Sequence, residues 1–160
     1  MLARKLCRHL CFASGAFFLL TPAAALLGLI ETVFPGNEWA ALDSFKTLFG
    51  GNQQITMGDV LYSFSYNLNP FYIALISLGF IASLASFFGL DCRKNLIFSL
   101  IAGILTLLLS AMGVLTFHWL NPGFPLEGIR GGVGFALSIC SASLGIILLI
   151  PSIVFAKTKK

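Results

Sequence analysis

Apolar and polar positions along the chain separate on two length scales. On the longer scale, four stretches stay apolar for twenty residues or more: 10–30, 71–90, 96–117 and 133–156. None of them contains Asp, Glu, Lys, Arg or His. At 1.5 Å per residue, about 20 helical residues cross about 30 Å of hydrocarbon. The pattern predicts an all-α membrane protein, a single domain built as a bundle of four transmembrane helices. The short connections around 91–95 and 118–132 predict neighbours running up and down. Pro22 lies in the middle of the first span and predicts a kink, because proline removes one backbone hydrogen bond. Pro70 suits the first turn of the second span.

The first span has a rival reading. Its basic start, apolar middle and "TPAAA" at 21–25 have the sections of a secretory signal peptide. The apolar run continues through Leu26, Leu27, Leu29 and Ile30, which favours a retained span.

On the shorter scale, the forty-residue segment 31–70 is too long for a plain connection and predicts local structure. Trp39, Leu42, Phe45 and Phe49 recur at helical spacing, with Asn37 as a possible start cap and Gly50 as the end cap. They predict a short amphipathic helix that lies on the membrane surface or packs on the spans. Further on, Val60, Tyr62, Phe64, Tyr66 and Leu68 alternate with Ser63, Ser65 and Asn67. Alternation argues for a strand. The absence of an evident partner strand, and Thr56 with Asp59 as a capping pair, tip the expectation at 59–68 to helix. "NPGFPLEGIRGG" at 121–132 is expected to turn tightly, and "GIRGGVG" to be a flexible turn with a close helix entry.

Composition sharpens the solvent. The 160 residues are 58% hydrophobic and 10% charged, against about 25% charged in a typical soluble domain. That much apolar surface calls for a lipid bilayer as the main partner. The net charge of +4 does not point to nucleic acid, because the basic residues flank the apolar spans. Placing residues 1–9, the 91–95 turn and 157–160 on one side collects Arg4, Lys5, Arg8, Arg93, Lys94, Lys157, Lys159 and Lys160 there. The other side keeps only Lys46 and Arg130. Cytoplasmic loops are enriched in Lys and Arg, so both termini are expected in the cytoplasm of a cell membrane, with 31–70 and 118–132 outside.

Candidate chemistry is sparse. Cys7, Cys11, Cys92 and Cys140 match no zinc or redox spacing, so neither a metal site nor a cofactor is expected. No cysteine falls in the outer loops, which leaves no structural disulfide there. Cys7 and Cys92 fall at the expected inner interface, where acylation occurs, although an unmodified small residue is the simpler reading. Glu31, His118, Glu127 and Arg130 fall near the outer membrane surface, but nothing in their spacing makes them meet as acid, base or metal ligand. No enzyme activity is expected.

The positive feature is small residues four apart. They are Gly79 with Ser83, Ala82 with Ser86, Ala85 with Gly89, Ser99 with Gly103, Gly134 with Ser138, and Ser141 with Gly145. Each pair makes a shallow groove on one helix face where another helix can approach closely. The contacts can all be made inside one bundle, or span 2 or span 4 can dock another subunit. The four-span plan with a longer first outer loop resembles the claudin-like plan in outline. Trp39 stands without a Gly-Leu-Trp, and the loop has no cysteine, so the resemblance covers topology and implies no site residues. The expected function is an accessory, scaffold or assembly subunit acting through lateral helix contacts. Its partner would be another membrane protein or a homo-oligomer. The alternative is a component of an oligomeric channel or transporter lined by Ser, Thr and Gly faces.

Overall fold

A computed structural model of the chain describes residues 2–28, 30–34, 38–57, 59–89, 93–124 and 128–156. In chain order the elements are α1 (Leu2–Ala25), β1 (Ile30–Phe34), β2 (Glu38–Ala41), α2 (Ser44–Phe49), β3 (Gly51–Met57) and β4 (Val60–Tyr66). They continue with α3 (Pro70–Phe88), α4 (Arg93–Ala111), α5 (Gly113–Leu120), β5 (Ile129–Gly131) and α6 (Val133–Phe155). Four helices, α1, α3, α4 and α6, are long and apolar enough to cross a membrane. The chain is a membrane protein on that ground.

The spans form a ring in which α1 touches α3 and α6, and α4 touches the same two. Contacts along each pair run in opposite senses. Thr21 meets Ser141 while Ser14 meets Gly145 between α1 and α6. Between α1 and α3, Ser83 meets Gly15 and Ser86 meets Cys11. Ser99 meets Ala82 between α3 and α4. Neighbours are therefore antiparallel, and all five strands gather at one end of the bundle.

Those strands correct the all-α expectation. The three-stranded sheet has the order β2-β1-β5, and β3 pairs with β4 in a second sheet. The expected helix at 59–68 is the strand β4, paired antiparallel from Met57↔Val60 to Gly51↔Tyr66. Its partner β3 carries a weak signal, because "GNQQITM" opens with four residues that are not strand formers and has only Ile55 and Thr56 as β-branched residues. Asp59 is a turn residue just before β4, with Met57 paired to Val60, and does not belong to a helix start. Part of the expected amphipathic helix is β2, and α2 begins only at Ser44. Its cap is Asp43, which accepts from the Phe45 and Lys46 N–H groups. The proposed cap Asn37 lies outside the described residues. Gly50, with φ 80°, closes the helix as expected.

Three boundaries also move. The first apolar run leaves its helix at Ala25, turns at Gly28 (φ 80°) and delivers Ile30 to β1, so 10–30 is a helix followed by a strand. The helix runs through Pro22 without interruption. The third apolar run divides at Met112 into α4 and α5. The segment expected to turn without folding contributes β5, which pairs with β1. Pro70 does open α3, behind the cap Asn69.

Two apolar cores follow. One, at the sheet end, packs Ile30, Leu42, Leu48, Tyr66, Tyr72 and Phe117. The other, deeper in the bundle, packs Cys7, Cys11, Phe18, Ala82, Leu96 and Leu149.

Candidate functional site

The small residues that the sequence singles out lie between the spans. Gly79 faces the Pro22 ring and the Phe18 carbonyl of α1. Gly103 of α4 and Gly145 of α6 both back onto the Phe18 ring, where an added Cβ would come within 2.5 and 2.7 Å of it. Gly134 sits against the carbonyls of Ala24 and Gly28, and Gly89 against Leu96. Absence of a side chain at these points lets the backbones approach.

The hydroxyls beside them donate across the helix pairs. Ser83 donates to Gly15 O at 2.8 Å, Ser86 to Cys11 O at 2.8 Å and Ser99 to Ala82 O at 2.7 Å. Ser14, which the four-residue spacing did not pick out, donates to Gly145 O at 2.7 Å. Ser141 shares a 2.9 Å bond with Thr21. Ser138 is buried and donates to Phe135 O of its own helix. Nine of the ten packing candidates thus meet another helix of the bundle, and Ser138 is buried against its own. Interhelical bonds of this kind average about 0.6 kcal/mol each, so their number matters more than any one. Among the described residues, Ser110 Oγ and Asn69 Nδ2 are the buried side-chain polar atoms without a partner.

The basic residues Lys5, Arg8, Arg93 and Lys94 lie at the end of the bundle opposite the sheets. Of the other topology residues, Arg4 lies in α1 near its start, and Lys157, Lys159 and Lys160 fall outside the described residues.

At the sheet end, the β1–β5 register sets Glu31 opposite Arg130. Arg130 Nε donates to Glu31 Oε2 at 2.7 Å, and its guanidinium lies 4.1 Å from the Trp39 ring centre. This clasp joins the two loops and pairs residues that sequence spacing could not connect. His118 is engaged elsewhere, with Nδ1 2.8 Å from Phe124 O, and Glu127 lies outside the described residues. No group of three or more metal-ligating side chains occurs among the described residues.

The second sheet is tied down on one face. Phe34 meets Tyr62 and Phe64 edge-on, and Phe64, Tyr66 and Phe117 surround Phe124. Tyr66 donates to Gln53 Oε1 at 3.0 Å, and the same oxygen accepts from Asp43 N at 2.9 Å. Burial, then the nearby Asp43 carboxylate, pushes the Tyr66 phenol well above its usual range. The opposite face, with Asn52, Gln54, Thr56, Leu61, Ser63 and Ser65, is exposed. Bonding alternates along an antiparallel ladder, so every second residue of β3 and of β4 turns its N–H and C=O groups to an outer edge. Among the described residues no backbone bond links those edges to another element.

Among the described residues these features define the class: a small membrane protein with four helices long and apolar enough to span a bilayer and two β-sheets at one end. Beyond that class, the chain matches no protein-family model, no curated protein and no solved structure.

Proposed function

We propose that the protein is an accessory or assembly subunit of a cell membrane that binds its partner laterally, in the plane of the bilayer. The observation that carries this reading is the β3–β4 hairpin. Neither strand contains a charged residue or a proline, and both outer edges are open among the described residues. Proteins usually blunt such edges with Lys, Pro or bulges, and an unblunted edge is a template for a strand of another chain. The small-residue faces are occupied inside the bundle, so the partner meets the hairpin and the large apolar side chains around the spans. The N-terminus, the 91–95 turn and the C-terminus lie in the cytoplasm in this proposal, with the sheets outside.

The test is photo-crosslinking from positions 54 and 63 in native membranes, followed by mild extraction. A stoichiometric partner or homo-oligomer is expected, and Q54K or S63K should abolish its recovery while the bundle stays folded. A monodisperse monomer in several mild detergents, with no crosslinked species, would overturn the proposal. The channel alternative predicts selective flux from purified protein in liposomes. The engagement of the Ser138 and Ser141 hydroxyls inside the bundle favours the assembly reading over it.

A further inference from the structure

The six-residue helix α2 has an unpartnered aromatic face. Phe45 is 61% and Phe49 57% exposed, and their rings stack at 6.4 Å. Its position decides what can cover them. At its start, Ser44 Oγ accepts from Gly28 N at 2.8 Å, just beyond the last turn of α1. At its end, Leu48 O accepts from Asn69 N at 3.0 Å, and Asn69 is the cap of α3. Both anchors are ends of neighbouring spans, so α2 bridges the rim of the bundle where the lipid-facing helix surface stops.

Successive helical residues turn by about 100°. Ser44, Thr47 and Leu48 form the buried face. Phe45 and Phe49 then lie about a third of a turn to one side, and Lys46 lies on the side away from the bundle. The same rim carries a second aromatic pair. Phe71, two residues past the α3 cap, lies 5.9 Å from Trp119, and Trp119 is 71% exposed. Aromatic side chains concentrate at the level of the lipid headgroups, and an amphipathic helix there buries its apolar side about 5–10 Å into the boundary with the acyl chains.

We propose that α2 is an interfacial anchor, with Phe45 and Phe49 seated in the headgroup–acyl boundary of the leaflet on the sheet side, in the plane marked by Trp119. The lipid surface then holds the sheets at a fixed height above the bundle. Such an anchor is independent of any partner subunit and of which side of the membrane the sheets occupy.

The experiment places a single tryptophan at the helix, F45W or F49W, in full-length chain with W39F and W119F, reconstituted in lipid nanodiscs. Lipids brominated near the headgroup and lipids brominated near the chain terminus are compared with aqueous iodide as quenchers. Blue-shifted emission is expected, with greater loss of intensity from shallow than from deep bromines and little loss from iodide. A chain carrying W39F alone provides the reference plane, since quenching of its remaining Trp119 should follow the same depth order. Efficient quenching by iodide would overturn the proposal by placing the side chain in water. Protection from both iodide and bromine would overturn it equally, because the face would then be covered by protein. The two positions are tested separately, so a folding defect in one variant leaves the other to decide.

Discussion

Phe18 is the side chain on which three spans converge. It is fully buried, and Gly103 and Gly145 both approach the Cε1–Cζ edge of its ring. Replacing either glycine by alanine, G103A or G145A, should cost about 1–3 kcal/mol, the usual penalty for overpacking a filled core. Thermal or denaturant unfolding in detergent measures the loss. G123A is a control, because no atom of the described residues lies within 4 Å of a Cβ at that position. The glycines were legible in the sequence through their four-residue spacing with serine. Their common ring was not, since periodicity along one helix says nothing about which side chain of another helix fills the groove. Arg130 makes the same point in the sheets. R130A should release β5, raising amide exchange at 129–131 by an amount worth about 0.5–1 kcal/mol, the range for an exposed cation–π contact. R130K should fall between, because lysine keeps the charge but loses the planar stack on Trp39.

At the scale of elements, what the sequence made plain and what it hid have separate physical causes. A span is specified by composition over about 20 residues, which no local choice can disguise. The strands are specified by pairing, which joins β1 to β2 and β3 to β4 within one loop and brings β5 to β1 from another. Alternation from Val60 to Tyr66 was visible, but a strand needs a neighbour, and the polar β3 gave no apolar signal of its own. β5 was hidden more deeply, as three residues among glycines whose partner β1 lies about a hundred positions away. The division of α4 from α5 is likewise tertiary. The Gly113 carbonyl accepts from the Tyr72 hydroxyl at 2.9 Å and from Thr116 Oγ1 at 3.0 Å, so the joint is fastened to α3 and to its own next turn. Y72F removes one of the two bonds without emptying the site. It should lower stability by about 0.5–1.5 kcal/mol. The loss should appear as faster amide exchange over 113–120, with exchange in α6 unchanged.

For the whole molecule, the antiparallel ring sorts the charged residues between the two ends of the bundle. Sequence alone could assign sides only by assuming that each apolar run crosses once. The contacts of α1 with α3 and α6, and of α3 with α4, place the chain start and the α3–α4 connection at one end and both sheets at the other. Lys5, Arg8, Arg93 and Lys94 then share an end, while Glu31, Asp43, Asp59, Lys46 and Arg130 share the sheet end. The bias of Lys and Arg toward the cytoplasm is a property of short flanking segments, which is the situation of the first four residues. Protease added outside intact cells should therefore cut the β3–β4 turn near Asp59, which stands at the tip of a hairpin held by one face only. It should leave the 91–95 turn whole until the membrane is permeabilised. Neutralising the inner end with K5Q, R8Q, R93Q and K94Q together should weaken the bias and yield a mixed population in the same assay. Because the packing inside the bundle uses none of those four side chains, both populations should keep the fold. A sheet end protected from the outset, with the 91–95 turn cut, would reverse the orientation while leaving the fold and the position of α2 at the rim intact.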